Sequence, residues 1–373
     1  MWVERHRVHY LDGLRAIAVL LVVVHHAVQA ANTPGPLARF LSHGNHGVDL
    51  FFVLSGFCLS YPTLAKLRRD KQTSFGVARY AAHRVVRIVP PYWLAIVVTL
   101  LFSFVITRLG YPLPRSYGHF TTLSVAQQAF FMDQSMYQHA QFLSAPFWTL
   151  PVEFRWYFLF PIVLWLWTKS PKAFALIGIA AFVSLVTMAG SIDATYLPAF
   201  LLGIVAADVH VKQVRFGWWP FAIVIPVILY AMVTPVMAED PRDVIAIWYL
   251  AAFAFVIAAG ELPWMTRVLS VRALTAVGLA SYSIYLIHDP VLTFACDRGV
   301  HPALAALLSV AAGFAFWWFA ERPFVSTWVR TRLIAEFEIA FEKWMPRIGV
   351  PVWFTLGVKP APRAVDPNEK TFA

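Results

Sequence analysis

Long apolar runs separated by short polar segments follow one another along most of the chain. A membrane-spanning helix needs about 20 consecutive, mostly apolar residues. By that criterion, transmembrane helices are predicted at about residues 11–30, 47–64, 90–108, 146–168, 173–190, 195–210, 217–237, 244–260, 273–295 and 302–320. The pattern therefore predicts an all-α integral membrane protein with about ten transmembrane helices.

The composition supports a membrane protein, because 59% of the 373 residues are hydrophobic and only 13% are charged. Soluble domains carry about 45–50% apolar and about 25% charged residues. The numbers exclude a soluble globular enzyme, a disordered protein and a nucleic-acid module. The first apolar run carries Asp12 and Arg15 and lacks a small-residue cleavage site, so we do not expect a cleavable signal peptide.

The basic residues predict the orientation of the spans. With a cytoplasmic N-terminus, 23 of the 30 Lys and Arg residues fall in cytoplasmic segments and five fall outside. Membrane proteins concentrate Lys and Arg in their cytoplasmic loops. We therefore expect both termini to be cytoplasmic.

Two regions are expected from this topology. Residues 1–320 form the membrane domain, and residues 321–373 form a cytoplasmic segment. Within the second region, about 326–347 predicts an amphipathic helix on the inner membrane surface. The end, about 357–373, predicts a disordered tail.

Ionisable residues inside spans are costly, so each is a candidate for function. Arg15 and His26 are eleven residues apart, which places them on one helix face about 16 Å apart along the axis. Glu153 lies at about the depth of His26, and Asp49 lies near the outer surface. Either carboxylate could orient His26 as a general base. The alternatives are a structural ion pair for Glu153 and a helix cap for Asp49.

Arg84 and Arg87 lie one helical turn apart before the third span, where two guanidinium groups could clamp phosphates. Anchoring to lipid headgroups is the alternative. In the ninth span, Tyr282 and Asp289 share a face and His288 precedes Asp289, which fits a helix-packing network as well as chemistry. No metal is expected, because the pair at residues 43 and 46 has no third ligand nearby.

Five blocks of sequence, in order, resemble the acyltransferase family 3 membrane proteins over about residues 8–320. They are Tyr10-Leu11-Asp12-Gly13-Leu14-Arg15-Ala16 with His26 eleven residues after Arg15; Gly47-Val48-Asp49-Leu50-Phe51-Phe52-Val53-Leu54-Ser55-Gly56-Phe57; the Arg-x-x-Arg of Arg84 and Arg87; Trp148-Thr149-Leu150-Pro151-Val152-Glu153; and Ser281-Tyr282-Ser283-Ile284-Tyr285-Leu286-Ile287-His288.

The resemblance implies a membrane O-acyltransferase. Such an enzyme would move an acyl group, with acetyl the leading candidate, from cytoplasmic acyl-CoA to a hydroxyl of a glycan, lipid-linked sugar or related acceptor. It implies that His26 is catalytic and that Arg15 is its motif partner. Arg15, Arg84 and Arg87 are then expected to bind the donor. It also implies a bacterial inner membrane protein that contacts lipids and could work with separate glycan-assembly proteins.

Several points stay open at the level of sequence. Pro151 and Arg155 depart from the family pattern around Glu153. His26 could act as a general base or carry the acyl group itself. Tyr282, His288 and Asp289 are candidates for a supporting layer around the site. A transporter is the alternative from another class, because transporters also place ionisable residues within the membrane, and a scaffold for glycan assembly is a further one.

Overall fold

The computed structural model describes residues 8–31, 35–114, 120–132, 143–187, 192–234, 241–326 and 328–357. The helices are α1 (His9–Ala31), α2 (Pro36–Ser42), α3 (Gly47–Asp70), α4 (Val77–Arg108), α5 (Thr122–Ala129), α6 (Thr149–Lys169), α7 (Pro171–Thr187), α8 (Ile192–Lys212), α9 (Trp219–Val233), α10 (Pro241–Glu261), α11 (Pro263–Leu269), α12 (Arg272–Leu279), α13 (Ser281–Cys296), α14 (Pro302–Phe316), α15 (Arg322–Ser326) and α16 (Trp328–Trp344). Short 3-10 turns cover His43–His46, Ala145–Trp148 and Met345–Ile348, and a π-helical turn covers Trp317–Glu321. The strands are β1 (Gln72–Gly76) and β2 (Trp353–Gly357).

The molecule is an all-α membrane protein in its main architecture. Each of the ten predicted segments contains a helix. Among the described residues, five helical stretches are long and apolar enough to cross a membrane, and a sixth is formed if the bent pair 245–261 and 263–269 counts as one span. That pair bends by 99° at its break. The ninth predicted segment is interrupted at Ala280, between α12 and α13.

Helix α1 occupies a central place and packs against α3, α12, α13 and α14. Two glycines let it approach its neighbours closely. A Cβ on Gly13 would lie 2.1 Å from the carbonyl oxygen of Leu269, and one on Gly278 would lie 1.8 Å from that of Asp12. These contacts fix the part of α1 that carries Arg15.

Helices α3 and α8 pack along a seam of small residues. A Cβ on Gly56 would lie 2.1 Å from the Phe200 carbonyl oxygen, and one on Gly203 would lie 2.0 Å from the Val53 carbonyl oxygen. Small residues at such positions allow helix backbones to meet inside a membrane, where dispersion contacts drive association. The seam positions Ser55, which neighbours Gly56 on α3.

Helix α4 begins at Val77, well before the start at residue 90 that the apolar pattern predicts. Pro90 and Pro91 therefore lie inside the helix and not at its start, where the predicted span 90–108 would place them. A proline removes one backbone hydrogen bond of a helix, but packing by neighbouring helices can maintain the remaining bonds. The longer helix carries Arg84 and Arg87 on regular helical geometry.

The segment after residue 321 folds back onto the bundle. Helix α16 lies within the predicted 326–347 and packs against α4, with Ile334 against Ala82 and Val86. Strand β2 pairs antiparallel with β1, a sheet that the sequence analysis does not predict. Of the predicted tail, Gly357 ends β2, and the remainder lies outside the described residues.

Candidate active site

A cavity of about 90 Å³ lies among α1, α3, α4, α6 and α13. Three arginines and one carboxylate line it, together with hydroxyl groups and aromatic rings. The lining residues are Arg15, Val48, Phe51, Phe52, Ser55, Arg84, Arg87, Ile88, Thr149, Leu150, Glu153, Tyr157, Ser281, Tyr282 and Tyr285. The excess of positive groups favours an anionic ligand.

The cavity divides the nine predicted site residues into two groups. Those that line it are Arg15, Arg84, Arg87, Glu153 and Tyr282. Those outside its lining, within the described part of the chain, are His26, Asp49, His288 and Asp289. The predicted donor-side residues therefore come together, whereas the predicted base lies elsewhere.

Arg84 is a partly buried cation that has no anionic partner in the described part of the chain. Its Nε is buried and has no hydrogen-bond partner among the residues that the structure describes. Its guanidinium carbon lies 5.7 Å from the ring centre of Tyr80 and 6.0 Å from that of Tyr157, so aromatic faces stabilise its charge. A guanidinium held in this way is available to an incoming anion.

Arg87 is paired with Glu321, which the sequence analysis does not single out. Arg87 Nη2 lies 3.3 Å from Glu321 Oε1, and Glu321 is completely buried. Ser283 donates a hydrogen bond of 2.7 Å to the other carboxylate oxygen. A buried carboxylate needs such partners, because an unpaired charge in a low-dielectric interior is costly. Arg87 is therefore less free than Arg84 to bind a ligand.

Arg15 is the third cation of the cavity. Its Nη1 lies 3.9 Å from Asp12 Oδ1, at the outer limit of an ion pair. Both residues lie on α1, three positions apart, on the turn held by Gly13. The geometry leaves the guanidinium directed to the cavity with only a weak contact to a carboxylate.

Glu153 forms a compact group with two hydroxyls. Ser55 donates a hydrogen bond of 2.8 Å to Glu153 Oε1, and Tyr157, one turn along α6, donates to the same oxygen. The structure does not show the expected contact between Glu153 and His26. Instead, Oε1 of this carboxylate accepts from two hydroxyls on the cavity wall. The neighbouring Arg155 contacts Asp193 on α8, with Nη2 and Oδ1 2.8 Å apart.

His26 pairs with a second histidine. Its Nδ1 lies 2.9 Å from Nε2 of His288, and the two ring centres are 5.0 Å apart. His288 is fully buried, whereas His26 is partly buried. The predicted carboxylate partner of His26 is thus replaced by an imidazole.

The backbone of α13 determines which nitrogen of each ring carries a proton. His288 Nδ1 lies 2.8 Å from the carbonyl oxygen of Tyr285 and 3.1 Å from that of Ile284. Carbonyl oxygens only accept, so this nitrogen donates, and in the neutral ring Nε2 then accepts. His26 Nδ1 donates to it, which leaves Nε2 of a neutral His26 unprotonated. This tautomer has the lone pair that a base requires.

The other carboxylates near this level of the bundle also have partners of their own. Asp49 Oδ2 lies 2.6 Å from His46 Nδ1, so Asp49 does not orient His26 through that oxygen. The ring of His46 in turn stacks on Trp248, with centres 4.0 Å apart. Asp289 accepts a hydrogen bond of 3.3 Å from Ser144. Each acid therefore has a partner other than His26 in the described region.

Two tyrosines of α13 join the cavity to its surroundings. Tyr282 donates a hydrogen bond of 3.0 Å to the carbonyl oxygen of Ile88, two residues before Pro90 on α4. Tyr285 lines the cavity, its ring centre lies 5.8 Å from that of His288, and its carbonyl holds the His288 Nδ1 proton. Tyr285 therefore stands between the arginine-lined cavity and the histidine pair.

Sequence reasoning misses Glu321, Ser55, Tyr157 and Tyr285 as site residues. Glu321 follows the last predicted span directly, and an acid at the end of an apolar run was a usable signal. The i and i+4 spacing of Glu153 and Tyr157 was a second one. Ser55 and Tyr285 lie within the blocks that carry the family resemblance, but their place at the cavity depends on the packing of α3 and α13.

The family model described as an acyltransferase domain matches residues 8–322 of the chain. O-acetyltransferase OatA of Staphylococcus aureus is 26% identical over 323 residues, which cover 76% of this chain and 50% of that protein. Peptidoglycan O-acetyltransferase OatA of Listeria monocytogenes is 25% identical over 350 residues, covering 83% and 54%. The chain spans about half the length of these curated relatives, and no solved structure matches it significantly. The chain belongs to the acyltransferase 3 family of membrane enzymes.

Proposed function

We propose that this protein transfers an acetyl group from cytoplasmic acetyl-CoA to a hydroxyl of a glycan or lipid-linked sugar. The observation that carries the proposal is Arg84, a cation on the wall of an arginine-lined cavity with no anionic partner among the described residues. CoA carries a pyrophosphate and a 3′-phosphate, which guanidinium groups bind by charge-assisted hydrogen bonds. Family membership favours an enzyme over the transporter alternative.

The proposed orientation brings the donor to the arginines. We retain ten spans with both termini cytoplasmic, in a bacterial inner membrane, because the distribution of Lys and Arg supports that arrangement. Arg84 and Arg87 then face the cytoplasmic side, and His26 lies toward the outer side. In this arrangement the phosphates of the donor stay near the cytoplasm while the thioester extends into the bundle.

The histidine pair supports a role for His26 as general base. Nε2 of His26 takes the proton of the acceptor hydroxyl as the oxygen attacks the thioester carbonyl carbon. The new C–O bond forms, the C–S bond breaks, and the CoA thiolate takes the proton back from the imidazolium. His288 contributes by fixing the tautomer of His26, which makes it a positioning residue.

A second route uses the same atoms in two steps. Nε2 of His26 attacks the thioester, CoA leaves as the thiol, and the acyl-imidazole then passes its acyl group to the acceptor oxygen. The routes are distinguished by incubating the purified protein with labelled acetyl-CoA in the absence of acceptor and then quenching the mixture. Label bound covalently at His26 supports the two-step route. Its absence from a preparation that transfers acetyl once acceptor is added supports direct transfer.

The relatives suggest the class of acceptor. Their names describe O-acetyltransferases, one of them acting on peptidoglycan. Because this chain spans about half the length of these relatives, the acceptor is proposed here as a glycan or lipid-linked hydroxyl in general. Separate glycan-assembly proteins could supply or receive that acceptor.

Mass spectrometry of surface glycans and lipids, from cells with and without the protein, tests the proposal. We expect a mass increase of one acetyl group on a glycan or lipid-linked sugar, lost when His26→Ala is expressed at the same level. His25→Ala is the matched control, because His25 Nδ1 lies 2.5 Å from the Ser42 carbonyl oxygen, whereas His26 Nδ1 lies 2.9 Å from His288. Identical mass spectra in all strains would contradict the proposal.

A further inference from the structure

The C-terminal helix α16 adds a fourth arginine beside the Arg-x-x-Arg pair. Ile334 packs against Ala82 and Val86 of α4, and Arg330 lies one turn before Ile334. Arg330 Nη2 is 3.2 Å from Nδ1 of His83, the residue next to Arg84. The packing of two helices far apart in the chain therefore brings Arg330 to the helix segment that carries the donor-side arginines.

Arg330 has no carboxylate within ion-pair distance in the described parts of the chain. A guanidinium only donates, so His83 Nδ1 must accept and is unprotonated in this arrangement. Burial, and after it the charges of Arg87 and Arg84, lower the pKa of Arg330. By contrast, Arg332 on the same helix is exposed and pairs with Glu336 at 2.9 Å.

Gathering cations without an acid between them costs free energy, because like charges repel most where water is partly excluded. Glu321 offsets Arg87, whereas Arg84 and Arg330 have no carboxylate within ion-pair distance among the described residues. A ligand with several negative charges, bound between these arginines, would offset their repulsion. The donor considered above is such a ligand, and its phosphates would face this end of α4.

We propose that Arg330 is a further donor-binding residue that contacts the 3′-phosphate of acyl-CoA. The inference rests on the proposed function. Arg84 lines the cavity, and Arg330 lies outside its lining on the helix that covers the same end of α4. Arg84 is thus placed for the pyrophosphate next to the pantetheine arm, and Arg330 for the phosphate farther from the thioester. Arg330 also lies beyond residues 8–322, which the family model matches.

Equilibrium binding to the full chain in nanodiscs of neutral lipid tests this assignment. The probes are acetyl-CoA and its dephospho form, which lacks only the 3′-phosphate. We expect Arg330→Gln to weaken acetyl-CoA binding at least about tenfold, the effect of one charge-assisted hydrogen bond, and to leave dephospho binding unchanged. Arg330→Lys should retain part of the affinity, and the control Arg332→Gln should bind both probes as the wild type does.

Other outcomes overturn the assignment. An equal loss for both probes would mean that Arg330 acts through structure, and no loss would mean that it does not contact the donor. Anionic lipid offers the same phosphate chemistry, so a loss of acetyl-CoA binding that appears only in anionic nanodiscs would assign Arg330 to headgroups. If the wild type binds neither probe, the proposed function itself fails.

Discussion

His26 Nδ1 lies 2.9 Å from His288 Nε2, and the backbone of α13 holds the opposite nitrogen of His288. The pair therefore resembles a general base with its orienting residue, except that an imidazole stands where a carboxylate was expected. A neutral orienting group fixes the ring and its tautomer, but it stabilises the imidazolium of His26 less than a carboxylate would. The consequence is a base whose geometry depends on one hydrogen bond that it donates to another helix.

Replacing His288 should slow transfer without weakening donor binding. We expect His288→Ala to lower kcat by about tenfold or more, because His26 loses the acceptor that fixes its tautomer. His288→Gln should retain more activity, since its amide oxygen can accept from His26 Nδ1. The measurement is acetyl transfer by purified protein, with acetyl-CoA affinity determined alongside. If His288→Ala mainly raised the Kd for acetyl-CoA, the positioning role would be wrong.

Replacing Arg84 should weaken donor binding. Arg84→Gln removes a cavity cation that has no carboxylate partner among the residues the structure describes, and we expect the Kd for acetyl-CoA to rise at least about tenfold. Arg69→Gln is the control, because Arg69 is exposed and contacts Asp70. Binding to purified protein in nanodiscs of neutral lipid checks this. Unchanged affinity in Arg84→Gln would instead assign Arg84 to lipid anchoring.

The buried pair of Arg87 and Glu321 should show coupled effects on stability. Arg87→Gln leaves the carboxylate buried without its cation, and we expect a loss of about 2–3 kcal/mol in the free energy of unfolding. This loss is smaller than that of breaking a fully buried ion pair, because the Arg87 side chain is 32% exposed. Adding Glu321→Gln should restore much of that loss. Thermal unfolding of the single and double variants in detergent measures the coupling, and strict additivity would refute it.

The seam between α3 and α8 should not accept a methyl group. In Gly203→Ala the new Cβ would lie 2.0 Å from the Val53 carbonyl oxygen, so the helices must separate. We expect a loss of about 1–3 kcal/mol. Gly178→Ala is the matched control, because its nearest contact would be 3.8 Å from a Leu201 methyl. Equal thermal stability of both variants would contradict the close approach.

The apolar pattern predicts the location of the helices well, because each span must satisfy its backbone hydrogen bonds within itself. It fails at the start of α4, where the polar stretch before Pro90 continues the helix because α16 packs beside it. The sheet of β1 and β2 gives no sequence signal for a related reason. β1 precedes α4 and β2 follows α16, so the strands lie in the two distant segments that these helices bring together. Both features depend on segments far apart in the chain, 247 positions in the case of His83 and Arg330, which local periodicity does not connect.

The candidate site was predictable in part for the same reason. Arg84 and Arg87 are related by one helical turn, so their spacing alone places them together. His26 and His288 are 262 positions apart in the chain. Their predicted depth in the membrane reduces the number of candidate partners but does not identify the pair. Predicted depth also suggests Glu153 as the partner of His26. In the structure, Ser55 and Tyr157 donate hydrogen bonds to Glu153 instead.

The most direct test measures acetyl transfer by the purified protein in proteoliposomes, with labelled acetyl-CoA as donor and a membrane glycan extract as acceptor. It tests the central claim that His26 serves as the base for transfer of acetyl to a glycan or lipid-linked hydroxyl. We predict that the wild type labels the acceptor. His26→Ala should do so at least about 100-fold more slowly, while it binds acetyl-CoA as tightly as the wild type. Equal labelling by His26→Ala, or no labelling by the wild type in the presence of the native acceptor extract, would contradict it.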